Sequence, residues 1–172
     1  IESGEKNVRL EVAKGKFEDV DVKIVVDKVH EADIEVLANY IFGLPGDTKE
    51  SMQKTLDLSF ELCTLGWNGY AAMALPGSEL YKDALDKGYN LPEDYEGYSF
   101  HSYSTIPLPT KSLESFEILK FRDDAFKKYY SYEPFLDKIE KKFGTKAREN
   151  IVKMNKITLK RKIIEQTKGS LR

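Results

Sequence analysis

Twice in this chain a nearly unbroken apolar run stops at a glycine-proline corner, and a helical pattern begins within a few residues. The first run, Ile34 to Phe42, ends at Gly43-Leu44-Pro45-Gly46, and the second, Trp67 to Leu75, closes at Pro76-Gly77. Runs of this kind suit parallel strands covered by helices on both faces or lining a barrel, because neither side of the pleat is left to water. After the first corner Met52, Leu56, Phe60 and Cys63 recur at helical spacing until Gly66, and after the second Leu80, Tyr81, Ala84 and Leu85 run from Ser78 to Gly88. The order strand, helix, strand, helix predicts parallel pairing and an α/β fold. Asp47, three residues before Glu50, predicts a capping box at the first of these helices.

The flanks are helical in pattern. Glu5 to Lys14 ends at Gly15, a helix stop. Between Glu18 and Ala32 the residues Val22, Val25, Val26 and Val29 form one helical stripe, although valine itself prefers strands. Leu91 to Thr110 is rich in Tyr, Ser and Pro and predicts an ordered connection with a strand across Tyr98 to Ile106. Beyond it, Ser112 heads a helix to about Tyr130, Glu133-Pro134 starts another that ends near Gly144, and a third runs from Thr145 to about Lys168. Three segments follow: strands and helices over 1–90, a connection over 91–110, and a small all-helical annex over 111–172.

At 172 residues and 41% hydrophobic content the chain can build a real core. No stretch approaches the ~20 consecutive apolar residues of a membrane-spanning helix, and no signal-peptide pattern opens the sequence; the expected setting is cytoplasmic. Cys63 is the only cysteine, so neither an intrachain disulfide nor a cysteine cage for a metal can be assembled from this chain alone. On the apolar stripe of its helix, Cys63 reads as a small buried hydrophobe. The net charge of −2 hides an uneven distribution: over 141–172, 11 Lys/Arg face Glu149 and Glu165, net +9, so that the rest carries −11.

Glycines at the C-terminal end of a strand let a backbone approach a flat ligand or a phosphate, but the same residues also make a plain connector. Ile1-Glu2-Ser3-Gly4 adds a polar pair and a glycine at the end of another strand. Together with Ile41-Phe42-Gly43-Leu44-Pro45-Gly46-Asp47-Thr48, these residues resemble consecutive strands of the radical S-adenosylmethionine enzymes. The stretches Leu75-Pro76-Gly77-Ser78-Glu79-Leu80-Tyr81, Pro107-Leu108-Pro109-Thr110, Phe121-Arg122-Asp123-Asp124-Ala125-Phe126 and Lys142-Phe143-Gly144 resemble the C-terminal region of that family's cobalamin-binding subgroup, often named anaerobic magnesium-protoporphyrin monomethyl ester cyclase-like.

The resemblance implies the C-terminal portion of a partial (β/α)6 TIM-like barrel of parallel strands, with residues 1 to about 85 as units four to six, followed by the helical annex. It implies part of a cofactor site: Glu2 and Ser3 toward the ribose or methionine end of S-adenosylmethionine, Asn39, Ile41 and Gly43 against adenine, and Ala74 and Leu75 at the end of the sixth strand. Asp47 matches an acidic position of the pattern, although helix capping already accounts for it. The family's Cys-x-x-x-Cys-x-x-Cys loop belongs after the first strand, so the 4Fe-4S cluster, radical generation and any cobalamin fall to a missing N-terminal half. The chain by itself is then expected to be inactive, with weak affinity for the cosubstrate and an unidentified small-molecule substrate. An unpaired strand edge on the Ile1 side predicts a homodimer or aggregation through that edge.

A second reading is a stand-alone α/β interaction module that binds a partner protein, or RNA through its basic C-terminal helix. The stripe Ile151, Met154, Ile157 and Ile163-Ile164 favours a docked helix over RNA contact. His30 and His101 are far apart in sequence with no clustered carboxylates, a poor basis for a metal site. The aromatic segment Tyr95, Tyr98, Phe100, His101 and Tyr103 either lines a pocket or, more in keeping with aromatic burial, seals the annex.

Overall fold

The computed structural model describes residues 1–12 and 20–170. Along the chain run α1 (Lys6–Val12), α2 (Val22–Glu31), β1 (Leu37–Phe42), α3 (Lys49–Leu62), β2 (Gly66–Ala71), α4 (Glu79–Asp86), a 3-10 turn at Tyr95–Tyr98, α5 (Ser115–Tyr129), α6 (Glu133–Phe143), α7 (Thr145–Asn155) and α8 (Lys162–Ser170). β1 and β2 pair in parallel, from Leu37 opposite Gly66 to Phe42 opposite Ala71, with α3 as the crossover. Glu2 adds a single parallel bridge on the far side of β1, donating its N–H to Asn39 O at 3.0 Å and accepting from Ile41 N at 2.8 Å.

The barrel portion expected from the sequence is not what forms. Among the described residues the chain is mostly helical around a two-stranded parallel sheet, and the reason lies at the sheet's two edges. A barrel requires every strand to find a strand on each side. On the outer edge of β2 the backbone carbonyls are taken by side chains of α5 and its C-cap: Arg122 Nε donates to Gly69 O at 2.7 Å, and Tyr130 Oη to Trp67 O at 2.8 Å. On the outer edge of β1 the ladder ends at one residue, because Glu2 takes φ +63° and the chain turns into α1. The strand anticipated across Tyr98 to Ile106 is a 3-10 turn followed by loop.

The sheet is buried on one face only. Ala38, Tyr40, Phe42, Trp67 and Ala71 point into a core completed by Met52 and Leu56 of α3, Ile118, Leu119 and Ala125 of α5, and Phe135 and Leu136 of α6. Trp67 stacks on Tyr129 at 5.3 Å, and Tyr129 Oη donates to Thr64 O at 2.8 Å, which ties α5 to the entrance of β2. One core therefore draws on residues from both sides of the 91–110 connection.

Helix boundaries follow local chemistry. Asp21 caps α2, its carboxylate accepting from Lys23 N and Ile24 N, and of the valine stripe Val26 is buried while Val25 faces solvent. The reciprocal box at α3 is formed by Thr48 and Ser51, one residue later than the Asp47–Glu50 spacing suggested, because Asp47 is drawn into the corner before the helix. Ser78 caps α4 as its position predicts, accepting from Tyr81 N at 3.1 Å. The expected continuous helix from Thr145 to Lys168 is broken at 156–161. There Arg161 is pulled inward and Lys162 N donates to Tyr103 O at 2.8 Å, a bond incompatible with a helical partner for that group. The Gly15 stop lies outside the described residues. None of the described helices is long and apolar enough to cross a membrane.

Candidate functional site

The second face of the sheet carries Leu37, Asn39 and Ile41 from β1 and Gly66, Asn68 and Tyr70 from β2, all exposed or half-buried. Parallel sheets are normally covered on both faces, so an open face of this kind is the surface on which to look for a ligand or a partner. Asn68 Nδ2 donates to Asn39 Oδ1 at 3.0 Å across the ladder. Asn39 Nδ2 and Asn68 Oδ1 remain, a donor beside an acceptor, with no partner of either among the described residues. Tyr70, two residues on from Asn68, is backed by Phe100 with ring centroids 4.8 Å apart, and Ile41 packs with Val8, Leu44 and Ala72. A polar pair flanked by an aromatic ring and an aliphatic side chain is therefore presented on one surface.

Of the residues expected to meet a cosubstrate, Asn39 and Ile41 lie on this face. Glu2 is half-buried and its backbone runs beside them. Ser3 is fully buried, its hydroxyl 3.3 Å from Thr55 Oγ1 and accepting from Glu5 N at 3.1 Å, so it joins the entry of α1 to α3. Gly43 is buried at φ +83°, and a Cβ there would fall 2.5 Å from Ile118 Cγ2. Leu75 stands 47% exposed at the turn before α4, its carbonyl accepting from Ser78 N. Asn68 and Tyr70 were not singled out from the sequence. The signal was there in the period-two alternation of Trp67, Gly69 and Ala71 against Asn68 and Tyr70, hidden because both sets sit inside one nearly unbroken apolar run.

Asp47 is 2% exposed. Its Oδ2 accepts from Gly43 N and Leu44 N, both at 2.9 Å, and its Oδ1 from Ser51 Oγ at 2.5 Å. Burial raises its pKa above the ordinary value, and the hydrogen bonds from Ser51, Leu44 and Gly43 oppose that rise. With its oxygens engaged by the corner, Asp47 holds the turn rather than presenting a free carboxylate to a ligand.

The residues at hand do not fit an iron–sulfur cluster. Cys63 is half-buried at the C-cap of α3 in the left-handed region, burial raises its thiol pKa, and Lys138 Nζ donates to its carbonyl at 2.6 Å. No group of three or more His, Cys, Asp or Glu that could hold a metal occurs among the described residues. The basic tail is also altered by folding, since Arg161 is 2% exposed and spends its donors inside the protein. In the apolar stripe of the tail, Ile151, Ile163 and Ile164 pack on the main core, whereas Met154 and Ile157 stay exposed. No protein-family model matches the chain, and no curated protein is significantly similar to it.

Proposed function

We propose that this chain supplies the adenine and ribose side of an S-adenosylmethionine site in a radical S-adenosylmethionine-type enzyme, with the cluster, any cobalamin and the rest of the catalytic machinery contributed by other polypeptide. One observation supports the reading: the two segments that together resemble the family meet as parallel backbone, Glu2 opposite Tyr40 and bonded to Asn39 and Ile41, three residues before Gly43. The unpaired Nδ2 of Asn39 and Oδ1 of Asn68 are complementary to the edge of adenine, where an amino donor lies beside a ring-nitrogen acceptor. Tyr70 and Ile41 offer the apolar surfaces against which a flat ring packs. The setting that goes with this reading is cytoplasmic.

The residues here bind and orient. Asn39 and Asn68 fix the plane of the base, and the Glu2 carboxylate accepts from ribose hydroxyls. A cluster held by other polypeptide would supply the electron for cosubstrate cleavage, and none of its ligands is assigned to this chain. The test is a chemical-shift titration of the full chain with adenosine and with S-adenosylmethionine. Saturable shifts at the side-chain amides of Asn39 and Asn68 and at the backbone of Ile41 and Tyr70, lost in Asn39→Ala, support the site. Shifts confined to other surfaces overturn it.

A second reading, a partner-binding module, is favoured by the apolar residue at the start of the same face, where Leu37 is 69% exposed. Its discriminator is a stable complex with another protein that buries Leu37 while adenosine has no effect.

A further inference from the structure

Between α5, the 99–105 loop and the 157–165 segment lies a cavity of about 370 Å³, within the range of about 300–1,000 Å³ typical of small-molecule sites. Its back wall is a pair of arginines that share one carboxylate. Asp123 Oδ2 and Oδ1 accept from Arg161 Nε and Nη2 at 2.8 and 2.9 Å, and Oδ1 also accepts from Arg122 Nη1 at 2.9 Å. Arg161 completes its set with Ser102 O, Thr105 Oγ1 and Phe100 O, so that all five of its N–H groups are spent. Arg122 is different: Nε goes to Gly69 O and one Nη1 proton to Asp123, and its remaining donors have no acceptor among the described residues.

Arg122 is 5% exposed and is held under the ring of Phe126, 5.4 Å from its centroid. A largely buried guanidinium that shares its one carboxylate and turns its unspent donors to a cavity favours a further anion there. The rest of the wall does not supply one. Asp124 is paired with Lys120, Glu165 accepts from Tyr103 Oη, and Lys160 adds a further positive charge at the rim. The local potential is visible at His101 on the same wall, whose pKa is lowered by desolvation, then by Arg122 and Arg161, against the opposing pull of Asp123. Ile157, Leu159 and Ile164 add apolar surface to the lining.

We propose that this cavity binds a small oxyanion with an apolar body, a phosphate ester or a carboxylate, through the unspent donors of Arg122, with Arg161 and Asp123 as the scaffold that fixes their direction. The site is separate from the open face of the sheet and does not depend on the function proposed for that face. Planar, forked donors fixed in advance suit an oxyanion because little freedom is lost on binding.

The experiment is a nuclear magnetic resonance titration of the full chain at constant ionic strength, following the His101 imidazole, with inorganic phosphate, phenyl phosphate and benzoate as probes and chloride as the baseline. The expected result is a saturable response that raises the His101 pKa by about half a unit or more, as a bound anion favours the imidazolium. Phenyl phosphate is expected to bind more tightly than inorganic phosphate through the apolar wall, and its rank against benzoate names the oxyanion preferred. Arg122→Gln, which keeps a donor for Gly69 O, abolishes the response. A response equal to that of chloride, or one unchanged in Arg122→Gln, overturns the proposal. Should Arg122→Gln fail to fold, Lys160→Glu at the exposed rim decides: affinity about tenfold weaker supports the site, and unchanged affinity overturns it.

Discussion

Replacing Gly43 by alanine tests whether the corner's glycine is demanded by the fold. Two effects add. At φ +83° an L-residue costs about 1–2 kcal/mol relative to glycine, because Cβ crowds the following carbonyl. The new Cβ also falls 2.5 Å from Ile118 Cγ2 and 2.9 Å from Ile118 Cδ1, and Ile118 is fully buried between sheet and helix; inserting an atom into such a site costs about 1–3 kcal/mol. The sum is about 2–5 kcal/mol, a large share of the roughly 5–15 kcal/mol that holds a domain together. Urea unfolding followed by the fluorescence of Trp67, the single tryptophan and 1% exposed, reads the loss directly. Ile118→Ala removes both clashing atoms and is destabilising by itself, yet in the double variant the clash is gone, so the two changes should be less than additive by about 1–3 kcal/mol. A single-variant loss under about 1 kcal/mol, or strict additivity, refutes the packing argument and returns Gly43 to a role in ligand approach.

Three further outcomes follow from named contacts. Arg161→Met strands the 99–105 loop and α8 without their shared anchor and should lower stability by about 3 kcal/mol or more, with Arg161→Lys recovering less than half of it, since an ammonium cannot reproduce five forked donors; thermal unfolding checks both. Asp47 has a folded-state pKa above its ordinary 3.8, so the stability tied to its protonated form is fully present below pH 3.8 and is lost as pH rises through the raised value. The stability of the wild type relative to Asp47→Asn should therefore decline from acid toward neutral pH in paired urea titrations, and an opposite slope would contradict the burial argument. Glu2→Gly relieves φ +63° and should stabilise the chain by up to about 1 kcal/mol while weakening adenosine binding, a divergence that melting curves and titration together detect.

Local signals in the sequence carried well where the deciding chemistry is local. The heads of α4 and α6 are set by Ser78 and by the Glu133-Pro134 pair, and the observed helices begin at Glu79 and Glu133. The parallel order of β1 and β2 follows from a helix between two short apolar runs. What could not be read depends on distant partners. Nothing near Arg122 or Tyr130 in sequence says that they close the edge of β2, and that closure is what excludes the barrel. Arg161 looks like one more cation in a basic tail, and only the carbonyls of Phe100 and Ser102 and the carboxylate of Asp123 turn it inward and break the helix. At the candidate site Asn39 and Ile41 entered the sequence reading through the family resemblance, with the glycine corner marking only the end of their strand. Asn68 and Tyr70 depend on strand register, which places Asn68 opposite Asn39 and Tyr70 opposite Ile41.

The way α5 stoppers the sheet gives this unit a polarity. A further strand, whether from a neighbouring segment, a second copy or an engineered fusion, would have to displace a guanidinium and a phenol to zip onto β2, whereas on the other flank it meets only the backbone of one residue at position 2. Assembly by strand addition is therefore directional: lengthening the sheet from the amino-terminal flank extends an existing ladder, and any attempt from the opposite flank first breaks the side-chain bonds that hold α5 to β2.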